Sequence, residues 1–369
     1  MKYKILIIDP VNNTDSHVAF NSTIIKALKR NNCNISDLIV SYSQIKHPFY
    51  EGLNMNSRPL NGKLFGINIY SYLWFGLLAY AKLIIKIFTN TPNKILFLCV
   101  DNTLFYYIIK CIRYIYSGDI YVIVHSNLEQ LKNSDNKLRK WERLDAKFEI
   151  KFIVLADFLK VEMSKMLDIK NVEVLNNPTY GHLLNSEGEI DYLKRKIDYI
   201  FLGGAANEAY QSKFIKKFMD ELSLISQKFP SKKLTIGFPS NFTLDARKNI
   251  NVYYYGIRPN HNKYYELLQN SKFIVIPTSR GNKLSTSGVL ADAITHGVLL
   301  IAPEKAPLNQ CLPSEAKEYL YNDLNLASVL EKTITNQKTH NKLSMFVKKY
   351  SDSSNLNYLE CRMKIILNI

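Results

Sequence analysis

Between Thr278 and Gly297 the chain reads TSRGNKLSTSGVLADAITHG, a basic, polar and glycine-containing half followed by a helical half. Ser285, Thr286, Ser287 and Gly288 stand where the helix through VLADAIT begins. The N–H groups of a first helical turn have no partner within the helix, and together with the macrodipole they attract an anion. Small side chains let that anion reach the backbone, and hydroxyls add donors. Arg280 and Lys283 supply the cationic charge that a diphosphate requires. The same residues also fit an ordinary serine N-cap on a core helix with incidental basic neighbours.

The elements around this loop decide where it can act. KFIVIP (Lys272 to Pro277) precedes it and VLLIAP (Val298 to Pro303) follows, which predicts strand, polar loop, helix and parallel strand. Ligands of open α/β sheets bind at the carboxyl ends of the strands, where this loop would lie. Further apolar runs recur at KILIID (from Lys4), ISDLIV (Ile35), KILFLCV (Lys94), DIYVIVH (Asp119), KFIVLA (Lys151) and NVEVLNNP (Asn171). Helical stretches such as Ser22 to Lys29 and Leu104 to Tyr116 separate them. After a polar break, Thr179 to Lys196, the pattern resumes with DYIFLGGA (Asp198), KKLTIGFP (Lys232) and NINVYYYG (Asn249). Alternating strands and helices predict parallel sheets covered on both faces. We expect two doubly wound, Rossmann-like domains at 1–180 and 197–340 facing across a cleft, joined by a linker at 181–196. A helical segment at 341–369 is expected to pack back on the first domain.

Composition narrows the class. Lys and Arg number 48 against 32 Asp and Glu, a formal net charge of +16. No zinc-finger spacing, basic heptad region or aromatic ribonucleoprotein motif accompanies that charge, which argues against nucleic acid as the partner. An anionic membrane surface is the sharper reading, because basic and aromatic residues interleave in YAKLIIKIF (from Tyr80) and YYIIKCIRYIY (from Tyr106). A Lys-rich soluble protein is the plainer one. Ile67 to Phe88 is long enough to span a bilayer, but Lys82 and Lys86 interrupt it and a turn and buried strand follow, so we expect a core helix with one basic face. The N-terminal MKYKILIIDP has too short an apolar run for a signal peptide. Five cysteines without a C-x-x-C pair predict a reducing compartment and no structural zinc.

The stretch from Tyr253 to Glu304 resembles, element by element, the nucleotide-sugar half of GT-B glycosyltransferases, above all their family 4 clan. YYGIRPNHNKYYELLQNSKFIVIPTS is similar to that clan's run from a glycine-containing nucleotide loop to the strand ending at the donor site. LADAITHGVLLIA is similar to its L-E-A-M-A-x-G-x-P-V-I-A helix and strand, with Asp292 in the place of the second carboxylate of E-x7-E. FLGGAANEAYQSKFIKKF (Phe201 to Phe218) resembles the first strand and Gly loop of the donor domain. NNTDSHVAFN (Asn12 to Asn21) resembles, more loosely, the loop that reaches toward the acceptor. The chain departs from the clan at Leu284, which stands eight residues before Asp292 where the first Glu is expected.

The resemblance implies a GT-B fold and transfer of a sugar from a nucleotide-sugar to a glycan. Together with the charge, it implies a lipid-linked oligosaccharide acceptor of capsule or O-antigen synthesis, at the inner face of the plasma membrane. It places Gly203, Gly204, Lys213, Arg280, Lys283 and Ser285 to Gly288 on the donor diphosphate, and Arg258 and Asp292 on the nucleoside or sugar. Ser16, His17 and Asn21 fall on the acceptor side, and Asp15 and His125 become candidate bases, because each follows a first-domain strand. No cofactor beyond the nucleotide-sugar is implied, and no Asp-x-Asp motif offers a metal site. Leu284 keeps a non-catalytic GT-B-like subunit open as an alternative, and a sugar-nucleotide epimerase of the same fold is another.

Overall fold

A computed structural model of the chain describes residues 3–11, 17–40, 48–50, 69–125, 127–180, 191–202, 208–240, 244–245, 247–256, 259–277, 288–304, 308–309, 312, 314–322 and 324–369. The chain forms two compact units. The first is built mainly from Met1–Leu183 and Ser354–Ile369, the second from Leu184–Lys283 and Ser287–Ser353.

In the first unit, β1 (Lys4–Ile8), β2 (Asn34–Ile39), β3 (Lys94–Phe97), β4 (Asp119–Val124), β5 (Lys151–Val154) and β6 (Val172–Val174) form a six-stranded sheet in the order β2-β1-β3-β4-β5-β6. Every neighbouring pair is parallel. Parallel strands covered on both faces need continuous apolar runs, and Ile5 to Ile8, Ile95 to Phe97 and Ile120 to Val124 are all fully buried. Pairing Ile8 with Phe97 and Phe97 with Val122 brings the carboxyl ends of three strands to one edge. The connecting helices are α1 (Val18–Arg30), α2 (Ile69–Asn90), α3 (Leu104–Ile112), α4 (Asn127–Leu131), α5 (Asp135–Phe148) and α6 (Asp157–Met166).

The second unit repeats the design. β7 (Ile197–Phe201), β8 (Leu234–Pro239), β9 (Ile250–Tyr255), β10 (Ser271–Val275), β11 (Leu299–Pro303) and β12 (Leu320–Tyr321) are ordered β12-β11-β10-β7-β8-β9, all parallel. Its helices are α7 (Glu208–Gln227), α8 (His261–Gln269), α9 (Gly288–His296), α10 (Leu326–Thr335) and α11 (Gln337–Tyr350). Helix α9 stops at Gly297, whose φ of +58° is left-handed and where a Cβ would meet the Ser344 carbonyl at 2.9 Å. The apolar runs read from the sequence are all strands, and β12, two residues long, is added to them.

Two boundaries differ from expectation. The end of the polar break is not free linker: Tyr192 and Arg195 are buried. Arg195 donates to the carbonyls of Ser271 (2.9 Å), Gly297 (3.1 Å) and His296 (2.8 Å), and so ties the entry of the second unit to its sheet. Arginine, with five donors in a rigid fork, satisfies several carbonyls at once, and a polar stretch therefore closes a core. At the other end, the return to the first unit begins at Ser354 rather than near residue 341. Helix α12 (Leu356–Leu367) then packs on α1, where Asn31 donates to the Glu360 carbonyl (2.8 Å) and Arg30 to Asn357 (2.9 Å).

Candidate functional site

In each sheet the strand order reverses once, and ligands of doubly wound sheets bind outside the carboxyl ends at that point. In the first sheet the reversal lies between β1 and β3.

Asp9 follows β1 and is completely buried. Its Oδ2 accepts from Asn21 Nδ2 (2.8 Å) and its Oδ1 from the Val11 N–H (3.2 Å). Burial, reinforced by the charge of Asp9, pushes the Tyr50 hydroxyl up. The buried Tyr80 is raised chiefly by burial and then by Asp101, to which it donates at 3.1 Å. A buried carboxylate is costly unless hydrogen-bonded, and such groups concentrate at functional edges. Sequence reading took Asp9 as the end of a strand and gave it no role; an acid closing an apolar run was the available signal.

Asn21, expected on the acceptor side, is fully buried on α1 and donates a hydrogen bond to Asp9. His17 caps α1 in a left-handed conformation, φ 65°, and its ring lies 4.8 Å from that of His125. Non-glycine residues rarely hold such a φ without a structural or functional reason.

His125 follows β4. Its Nε2 lies 2.8 Å from the Leu98 carbonyl, so the ring N–H donates there and Nδ1 carries the lone pair. Burial pushes its pKa down to about 3, helped by His17 and opposed by the Leu98 carbonyl. The imidazole is therefore neutral at physiological pH but weakly basic. The loops after β3 and β4 are locked together beside it by a buried asparagine pair. Asn127 donates to the Val100 carbonyl and to Asn102 Oδ1, both at 2.8 Å, and accepts from the His125 N–H (3.2 Å). Asn102 donates back to the Asn127 carbonyl and to Gln130, both at 3.0 Å.

In the second sheet the reversal lies between β7 and β10. Here the strand ends are held by tyrosines: Tyr255 donates to the Phe201 carbonyl, and Tyr321 donates to the Ile276 carbonyl at 2.9 Å. The segments that follow, 203–207 and 278–287, carry most of the expected donor site. Gly203, Gly204, Arg280, Lys283, Ser285, Thr286 and Ser287 lie outside the described residues, as do Asp15, Ser16 and Arg258. What is described brackets them. Gly288 opens α9, and a Cβ added there would meet nothing within 4 Å. Lys213 is exposed on α7, a turn and a half from its start.

Asp292 sits one turn into α9, and its Oδ2 accepts from the Tyr264 hydroxyl of α8 at 2.7 Å. Burial pushes its carboxyl up to about 6, against the lowering effect of that hydrogen bond. An acid with a raised pKa binds a proton in the folded protein that the unfolded chain has already released near its ordinary 3.8. Stability from this group is therefore present at low pH, falls as pH rises from about 4 to about 6, and stays lost above. Asp292→Asn should raise the melting temperature at pH 7, with the difference from the wild type closing at pH 4. A pH-independent difference would place the effect in packing instead.

No protein-family model matches the sequence, and no curated protein matches it. Solved structures do. A sucrose-phosphate synthase from Thermosynechococcus elongatus superposes over 100% of this chain and 98% of its own, with a TM-score of 0.70 at 11% identity. The Anabaena protein HepE in complex with UDP-glucose covers 99% of both chains, with a TM-score of 0.67 at 12% identity. A putative UDP-N-acetylglucosamine 2-epimerase from Listeria monocytogenes covers 99% of this chain and 96% of its own, with a TM-score of 0.62 at 12% identity. Two six-stranded parallel sheets, each flanked by helices, in a chain that superposes along nearly its whole length on these neighbours, give this protein the GT-B fold of glycosyltransferases.

Proposed function

We propose that the chain is a glycosyltransferase that moves a sugar from a nucleotide-sugar to a glycan acceptor. The observation that carries this reading is the point of strand reversal in the second sheet. The glycine segment after β7 and the basic Ser/Thr segment after β10 both leave the sheet there, and each runs into a helix N-terminus. Donors and cations that these segments bring to a diphosphate would stabilise the charge that builds on it as it departs, with no metal required. HepE with UDP-glucose and an alpha-glucosyltransferase with UDP share this fold, which supports uridine diphosphate as the leaving group. For the acceptor we propose a lipid-linked oligosaccharide of capsule or O-antigen synthesis, reached by a cytoplasmic protein resting on the inner membrane face. The net charge of +16 supports that partner.

The test is a thermal-shift screen of nucleoside diphosphates and nucleotide-sugars. A ligand at about 100 times its Kd adds about 2.7 kcal/mol of stability, so the true donor should shift the transition clearly. No shift with any of them overturns the reading. The epimerase among the neighbours keeps a second reading open on the same fold. NMR of UDP-N-acetylglucosamine incubated with the protein alone separates the two, since an epimerase turns it over without an acceptor. Donor binding without turnover by any acceptor would favour the non-catalytic subunit that Leu284 suggests.

A further inference from the structure

We propose that helix α2 seats the protein on an anionic bilayer through a stripe of exposed apolar side chains that starts beside the carboxyl edge of the first sheet. The proposal rests on the lipid-linked acceptor reading for its purpose, and on the geometry of α2 for its substance.

Along α2, Phe75, Ala79, Tyr80, Leu83 and Ile87 are buried. The outward face carries Leu77 and Leu78, each 44% exposed, then Ile85 at 59% and Phe88 at 63%. Residues 77, 81, 85 and 88 follow the three-and-four spacing of one helix face, and the stripe is roughly 17 Å long. Single exposed apolar residues are ordinary, but a contiguous row marks an interaction surface. The crossovers from β2 to β3 and from β3 to β4 run in the same direction across the sheet. Right-handed connections therefore put α2 and α3 on one face. There α3 and the turn after it add exposed Tyr107, Tyr114 and Ile115.

The charge around the stripe selects lipid over a protein partner. From Ile69 to Gly118 the one acidic residue is Asp101, against Lys82, Lys86, Lys94, Lys110 and Arg113. Asp101 is turned inward, accepting from Tyr80 and from the Thr103 and Leu104 N–H groups that open α3. Lys86 is paired with Asp37 and Lys94 with Asp119, so the outward charge comes from others, including exposed Lys110 and half-buried Lys140, the latter 4.8 Å over the Tyr107 ring. Apolar side chains rimmed by tyrosines and lysines suit the headgroup boundary of an anionic leaflet. Among the described residues no helix is long and apolar enough to cross a membrane, and α2 buries one face within its own unit, which suits the other face to contact with a bilayer surface. Orientation gives the surface its use. A Cβ on Gly76 would stand 3.3 Å from the Pro10 carbonyl, so the start of the stripe adjoins the edge that carries Asp9. An acceptor held by a lipid carrier would thus be presented at that edge.

The test uses the whole chain, sedimented with vesicles of equal phosphatidylglycerol and phosphatidylcholine or of phosphatidylcholine alone. The wild type should pellet with the anionic vesicles, more at low salt than at high, and not with the neutral ones. Ile85→Ser and Phe88→Ser should each weaken binding about tenfold, from lost apolar burial. Leu224→Ser, at an exposed leucine of the second unit, should change nothing. Unaltered binding by the double variant overturns the proposal. So does a wild-type dimer in light scattering that the double variant converts to monomer, because a second copy would then cover the stripe. The UDP-induced thermal shift, read on the same proteins, keeps the two readings apart. A wild type that pellets but takes no nucleotide leaves the docking surface standing and removes the glycosyltransferase.

Discussion

Arg280→Ala and Lys283→Ala should each weaken binding of uridine diphosphate by roughly 10–100-fold, while the unliganded protein melts at an unchanged temperature. Charge-assisted hydrogen bonds are worth about 1.5–3 kcal/mol each, because a diphosphate concentrates charge on oxygens that accept two or more donors. Both residues stand in the segment between β10 and α9, which leaves the second sheet at its point of strand reversal. In the alternative, a serine cap on a core helix, their charges would face solvent and contribute little to anything. Titration calorimetry distinguishes the two. Unaltered affinity in both variants would return the segment to the role of a cap, and a drop in melting temperature matching the loss of affinity would mean that the segment holds the fold.

The strands were legible because a parallel strand buried on both faces must be written as an unbroken apolar run, and KILII or DIYVIV admit little else. Helix α2 was legible as a core helix for a related reason. Its lysines could not lie in hydrocarbon, and a strand follows it within a few residues. The site was read less completely. Asn102 and Asn127 each look like loop residues, and only the pairing of β3 with β4 makes them one hydrogen-bonded unit. Arg195 sits in a polar stretch that hydropathy assigns to solvent, yet three carbonyls at the ends of other elements claim its guanidinium. In the same way Asn21 was read as the end of a loop resembling the one that reaches toward the acceptor, whereas the helical turn of α1 aims it at Asp9. Periodicity reports burial; it carries no information on which polar group meets which.

Asp15→Asn should lower turnover by roughly 10²–10⁴, with little change in donor affinity, whereas His125→Ala should cost at most about tenfold. From sequence alone the two were equal candidates for the base that takes the acceptor hydroxyl's proton, since each follows a strand of the first sheet. The structure describes one of them, His125, and shows an imidazole of low basicity. His125 gives its Nε2 proton to the Leu98 carbonyl and is held at about pKa 3 by burial and by His17. General bases work best with a pKa near the operating pH, so this imidazole is better suited to positioning than to proton transfer. Its ring packs against His17 and against Phe20, with centroids at 4.8 and 4.7 Å, and its backbone N–H is fixed by Asn127. Asp15 lies outside the described residues, three positions before α1, on the segment that leaves β1 at the strand reversal of the first sheet. Single-turnover transfer with the correct acceptor measures both variants free of product release. A large loss in His125→Ala, with an acid limb in the wild-type rate near pH 3, would restore the histidine as the base. Near-full turnover in both would leave the departing phosphate to take the proton, as a retaining front-face reaction allows. NMR of the product anomer would then show whether configuration is kept.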